Sequence, residues 1–414
     1  MNSQLAQAGC RKEAGVNTSA KTNYAVSLLV ITNACAPTPT SDTIFPSELC
    51  PGGRLRAGRQ FQEKVSSTMR KVPLAESLRI IGRGSKNWYT GRPLVVSFEV
   101  TDSCTCYCKH CDHGGPRDTS RDMKPQDYRR YMDVLRPAVV QVSGGEPLMR
   151  EDLPEVIRNI KSDDGLPFII LVSNWSHMTE PRYLELRAAG VDEFCVSLDF
   201  PDERHDDFRG YPGLYRHLEE IMPRLAELGY DDILLNNCIT AENVEEINAI
   251  ADKAREWGVN VNYSAYSPRR TGCRDYFLNS PQKLAILNRE LTRLKSRIAG
   301  SRWITTTEST LDATRQYFEV GGASGCKAGL RWLVVTSRGE LQPCSMQFRR
   351  YGLHDQQRMV EEFTNRNTCD QCYVSIRSYL DKTFPRLVWE NVSGFFSFKP
   401  RLQKLADSES PTAD

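Results

Sequence analysis

The chain has 414 residues, and its 54 basic and 52 acidic side chains leave a formal charge of only +2. That balance sets up no long-range field toward nucleic acid or an anionic membrane surface, and no apolar run approaches the roughly 18 residues needed to cross a bilayer. Nucleic acid and a transmembrane segment are therefore not expected, whereas a small-molecule, lipid or peptide substrate is.

Cores stop growing at about 250–300 residues, so two folded units are expected. Residues 1–68, rich in Ser, Thr, Asn, Pro and Gly, read as a disordered extension. The stretch Tyr24 to Ala36 imitates an export signal but begins too far in, and Met69 is the expected true start. Residues 69–92 then read as a leading helix with Leu74, Leu78 and Ile81 on its apolar face. From Pro93 short apolar runs alternate with amphipathic helices, the pattern of β/α units around a parallel sheet. The expected strands are Leu94–Val100, Val139–Val142, Phe168–Val172, Phe194–Leu198, Ile233–Leu235 and Val259–Tyr263. Six such units over residues 93–300 make a partial barrel, two short of the closed eight-fold form, and a smaller unit over 301–400 with a polar tail at 401–414 completes the chain.

In such sheets ligands gather beyond the carboxyl ends of the strands. Cys104, Gly144 and Gly145, Ser173 and Asn174, and Ser197 with Asp199 all fall there. Fourteen cysteines are too few for a disulfide scaffold in a chain this long, and their clustering suits metal sites in a reducing, cytoplasmic compartment. Cys104, Cys108 and Cys111 have C-x3-C-x2-C spacing, which suits three corners of a four-iron cluster and leaves one iron without a protein ligand. A zinc knuckle is the alternative. Gly144-Gly145-Glu146-Pro147 follows the second strand, where absent side chains let backbone approach a ligand.

With these motifs the chain resembles the radical S-adenosylmethionine (SAM) superfamily over residues 93–266. The resemblance implies an α/β fold with a partial (β/α)6 TIM-like barrel and a 4Fe-4S cluster whose open iron chelates SAM. It also implies reductive cleavage of SAM to a 5′-deoxyadenosyl radical that abstracts hydrogen from carbon, the electron coming from a flavodoxin- or ferredoxin-type reductant. Gly144, Gly145, Glu146, Pro147, Ser173, Asn174, Ser197 and Arg209 are the implied SAM contacts. His110 stands where an aromatic usually meets adenine, and an imidazole can stack there. Cys106 lies off the ligand register as a spectator thiol. Cys195 and Cys238 read as small apolar strand residues, and Cys273, in the loop after strand six, as a loop thiol that could also face substrate. No catalytic base is assigned.

Cys326, Cys344, Cys369 and Cys372 are enough for a second complete cluster, with a hairpin expected at Trp332–Val335 and Leu341–Pro343. Their spacing resembles the small α+β auxiliary-cluster extension called a twitch domain, the shortened relative of the SPASM domain. A four-thiolate zinc site is the alternative. The aromatics Tyr379, Phe384, Trp389, Phe395, Phe396 and Phe398 read as packing residues of a C-terminal cap. The expected function is hydrogen abstraction in peptide or natural-product modification, assisted by the auxiliary 4Fe-4S cluster. The alternatives are a radical SAM enzyme of hopanoid or lipid biosynthesis, a non-catalytic iron–sulfur electron carrier and a zinc-binding protein.

Overall fold

The structure, a computed structural model, describes residues 74–389 apart from 299 and 388. The expected N-terminal extension, the start at Met69, the tail and Phe395, Phe396 and Phe398 lie outside the described residues. In chain order the elements are α1 (Leu74–Thr90), β1 (Val95–Thr101), α2 (Asp127–Leu135), β2 (Val139–Gly144), α3 (Leu153–Ile160), β3 (Phe168–Ser173), α4 (Glu180–Ala189) and β4 (Glu193–Ser197). There follow α5 (Arg204–Arg209), α6 (Leu214–Ala226), β5 (Ile233–Ile239), α7 (Ile247–Trp257), β6 (Asn260–Ala265), α8 (Pro281–Ile298) and α9 (Glu308–Val320). The last are β7 (Trp332–Val335), β8 (Leu341–Gln342), α10 (Gln356–Glu362) and α11 (Ser375–Leu380).

All six expected barrel strands form, parallel and in sequential order, each largely buried because helices cover one face of the sheet and later segments of the chain pack on the other. On α2 the i, i+3, i+4, i+7 set Tyr128, Tyr131, Met132 and Leu135 is buried, as its periodicity requires. The leading helix departs from expectation: Leu78 is 59% exposed, and Ser77 and Ile80 face inward instead. Asn87 accounts for the rotation, since its side-chain amide donates to the Pro93 and Arg136 carbonyls, each at 2.8 Å.

The hairpin forms too, and it joins the barrel sheet. β7 lies parallel to β1, β8 antiparallel to β7, and the order is β6-β5-β4-β3-β2-β1-β7-β8. At the far edge Val261 donates to the Trp303 carbonyl and accepts from Thr305, so a short extended segment covers β6.

Two apolar clusters result. The larger lies between sheet and helices and takes Val96, Phe98, Val140 and Val142. The smaller takes the alternate residues Val95, Val139, Phe168 and Ile170 on the inner face, packed against Cys326, Met346, Cys372, Val374 and Ile376. Toward the carboxyl ends the inner face turns polar, with Glu99, Ser143, Ser197, Asn236, Asn262 and Ser264 all buried. α11 packs on β6, where the Tyr379 hydroxyl reaches Asn262 Oδ1 at 3.4 Å.

Candidate active site

The cysteine loop leaves β1 and is held from three sides. Within it, Cys104 N donates to the Gly115 carbonyl and Gly115 N to the Cys106 carbonyl, at 3.1 and 3.2 Å. From α5, the Arg209 and Phe208 carbonyls accept from Tyr107 N and Lys109 N, at 2.9 and 3.0 Å. From the end of β2, Gly145 N donates to the Thr101 carbonyl and Glu146 N to the Ser103 carbonyl, both at 2.8 Å. The two glycines are required by this last contact. A Cβ on Gly144, whose φ is +128°, would stand 2.3 Å from the Thr101 oxygen, and one on Gly145 would stand 2.0 Å from the Ser103 oxygen.

Glu146 faces inward beneath the loop. Its Oε1 accepts from Leu148 N and from the Ser173 hydroxyl, at 2.9 and 2.7 Å, and its Oε2 accepts from Asn174 N at 2.7 Å. Burial pushes this carboxyl up to about 7, against the pull of those three donors. Asn174 Nδ2 in turn donates to Thr105 Oγ1 at 3.0 Å and to Cys106 Sγ at 3.1 Å. Glu146, Ser173 and Asn174 therefore tie the GGEP turn and the end of β3 to the cysteine loop. Glu146→Gln would set an amide N–H against Asn174 N–H, and we expect a loss of about 1–3 kcal/mol, checked by chemical denaturation.

Arg209, 2% exposed, reaches the loop from the end of α5. Its Nη2 pairs with Asp199 Oδ2 at 2.6 Å, and its Nη1 donates to Cys108 Sγ at 3.7 Å. Asp199 N donates to His205 Nδ1 at 3.2 Å, fixing the segment between β4 and α5. A hydrogen bond from Cys106 and the Arg209 charge lower the Cys108 thiol to about 7, while burial pushes Cys111 up to about 11. Burial and the charges of Arg209 and Arg270 hold the His110 imidazole well below its usual value, hence neutral. One face of that ring is already stacked on Phe208, at 4.9 Å and 13°.

Beside the loop lies a cavity lined by His110, Cys111, Arg209, Asn236, Cys238, Ser264, Tyr266, Ser267 and Arg270. Of the anticipated SAM contacts Arg209 faces it. Ser197 is buried on the neighbouring strand, in register with Asn236. Cys195 is a buried strand residue as read from sequence, but Cys238 lines the cavity. Cys273 is buried, its carbonyl accepting from the Tyr266 hydroxyl at 2.8 Å, and it does not line the cavity. Sequence reasoning passed over Arg270 and Asn236. Arg270 pairs with Asp112, next to Cys111, at 2.8 Å. The Arg269-Arg270 pair directly after the sixth strand was the available signal.

The four later cysteines, drawn from three separate segments, line one second cavity on the inner face, with Ser97 and Gln141 of the barrel strands and Met346. β7 and β8 place Cys326 and Cys344, and Ser267 Oγ, donating to the Gln371 carbonyl at 2.7 Å, ties the Cys369–Cys372 turn to the end of β6. As the side chains stand, no three ligating groups among the described residues converge closely enough for a single metal ion. Burial pushes Cys326 up to about 12 and raises Cys344 and Cys372, so whatever binds here must displace protons. The buried Arg377 beside Cys372 opposes that rise, as a cation placed to offset gathered thiolates would. All seven proposed ligands are free thiols.

A parallel half-barrel with a three-cysteine loop at the carboxyl end of its first strand and a glycine pair at its second is the arrangement of radical SAM enzymes. Residues 98–254 match the family model described as Radical SAM superfamily, so the chain carries a radical SAM domain over that stretch. It is thereby an enzyme that uses a 4Fe-4S cluster and SAM. A curated relative, the AdoMet-dependent heme synthase of Methanosarcina barkeri (strain Fusaro / DSM 804), is 27% identical over 277 residues, covering 62% of this chain and 77% of its own length. Among solved structures, native anSMEcpe with bound AdoMet superposes with a TM-score of 0.52 at 16% identity, over 72% of this chain and 100% of that one. Streptococcus suis SuiB bound to precursor peptide SuiA gives 0.51 at 14%, over 68% and 67%. At these identities the two superpositions speak for the fold. No helix among the described residues is long and apolar enough to cross a membrane.

Proposed function

We propose that Cys104, Cys108 and Cys111 hold the SAM-binding 4Fe-4S cluster and that Cys326, Cys344, Cys369 and Cys372 hold an auxiliary one. The pair acts on a carbon–hydrogen bond of a natural-product or peptide substrate. When bound, the first cluster supplies the electron that cleaves SAM to a 5′-deoxyadenosyl radical. The residues of the chain do the rest. The GGEP turn and α5 hold the backbone of the loop that carries the three cysteines. Arg209, neutralised by Asp199, presents donors both to Cys108 and to the cavity where the SAM carboxylate is to lie. The buried polar inner face around Asn236 and Ser264 orients substrate.

The observation that carries the second cluster is that four cysteines from three separate segments line one cavity of the inner face, beneath the loop that also walls the first site. The relative named as a heme synthase supports a small-molecule substrate, and the fold shared with peptide-bound SuiB supports a peptide one. A flavodoxin- or ferredoxin-type protein serves as reductant. The test is Cys369→Ala with Cys372→Ala: bound iron should fall from about eight to about four per chain. The double variant should still form 5′-deoxyadenosine from SAM with dithionite and should lose substrate turnover. Full iron content in it would defeat the second cluster, and one zinc per chain in the parent would replace it.

A further inference from the structure

Beside the auxiliary cysteines opens a cavity of about 810 Å³ whose wall includes Arg269, Arg349 and Arg366. It shares Arg269, Gln347, Phe363, Asn367 and Cys369 with the cysteine cavity, so the two adjoin. The three arginines come from unrelated segments: the loop after β6, the loop after β8, and the end of the short turn that follows α10. Arg269 and Arg366 have no side-chain partner among the described residues, and Arg349 spends one N–H on the Glu362 carbonyl at 3.2 Å. The two acids of the same wall are engaged already, Glu362 with Arg358 at 3.6 Å and Asp370 with the Gln371 amide at 2.6 Å.

We propose that this cavity is a recognition site for a substrate bearing two or more oxyanion groups, carboxylate or phosphate, which the three guanidinium groups grip while the rest of the molecule reaches inward. Three like charges around one concavity repel one another until an anion enters, and the concave wall concentrates their field. The planar guanidinium fork matches both kinds of oxyanion in a two-bond geometry. The place suits a substrate because consecutive residues face opposite ways. Arg269 lines this cavity and Arg270 lines the one beside Cys111, so a molecule held here is separated from the SAM side by a single loop. The proposal gives a substrate class to the function read above and rests on that reading for its link to catalysis.

Calorimetric titration of the iron-loaded chain with benzene-1,3,5-tricarboxylate, with inorganic tripolyphosphate, and with the neutral trimethyl ester as control tests it. At least one anion should bind and the ester should not. Arg269→Gln, Arg349→Gln and Arg366→Gln should each weaken binding about 10-fold, the size of a lost charged hydrogen bond. The tighter anion identifies the oxyanion. No binding of either anion, or undiminished binding in the triple variant, overturns the proposal. So does slower reduction of that variant by an acidic flavodoxin with anion binding intact, which would make the patch a surface for the electron carrier. Iron counted on the same samples separates the two readings. About four irons with arginine-dependent binding retained would sink the second cluster alone, and about eight irons without binding would sink the anion site alone.

Discussion

Replacing Cys104, Cys108 and Cys111 together by alanine is expected to leave about four irons per chain where the parent holds about eight, and to abolish 5′-deoxyadenosine formation. The size of the effect follows from chemistry with no substitute route. The sulfonium of SAM is cleaved by an electron delivered at an open iron, and these three residues are the proposed ligands of the only cluster here that leaves one open. Cys106 tests the specificity of the result. It sits against Cys104 and Cys108 and takes a hydrogen bond from Asn174, so Cys106→Ser should keep the iron and the nucleoside product. Iron analysis and chromatography of the nucleoside check both variants. Loss of cleavage in Cys106→Ser alone would move the ligand register by two residues.

Gly145→Ala is the smallest change with a comparably large expected effect. The added carbon would lie 2.0 Å from the Ser103 carbonyl oxygen and 2.5 Å from its carbon, both backbone atoms with nowhere to rotate. Either the cysteine loop or the β2 turn must shift by about an ångström, and displacements of that order in a catalytic geometry cost about 100-fold in rate. Nucleoside formation should fall by at least that factor while the auxiliary iron remains. A Gly145→Ala enzyme with parental cleavage would show that the turn tolerates a side chain and that its glycine has another purpose.

The strands were legible because buried parallel strands are short continuous apolar runs, and Leu94–Val100 or Phe168–Val172 look like nothing else at that length. The cysteine loop and GGEP turn were legible because their spacing is local. The inward turn of Ser77 was not legible because it depends on partners far along the chain, whereas α9 carried local signals that went unread, Thr307 as its N-cap and Gly321 at its end. The rotation of α1 is set by Asn87 reaching Pro93 and Arg136, which periodicity cannot contain. The meaning of the glycine pair was half legible. A need for close approach was plain, but the partner proved to be the cysteine loop, since register between β1 and β2 is a tertiary fact. Arg270 went unnoticed because its value comes from facing Cys111 across a cavity.

The pairing of β7 with β1 also constrains how the protein is made. β1 leads directly into the cysteine loop, and one of its edges stays bare until Trp332–Val335 has been synthesised. At ~5–20 residues per second the nascent chain carries that open edge, and the unfinished cluster loop behind it, for on the order of ten seconds or more. A chain ended before Trp332 would keep every ligand of the first cluster yet present a permanent sticky edge, a candidate for aggregation and not a minimal enzyme.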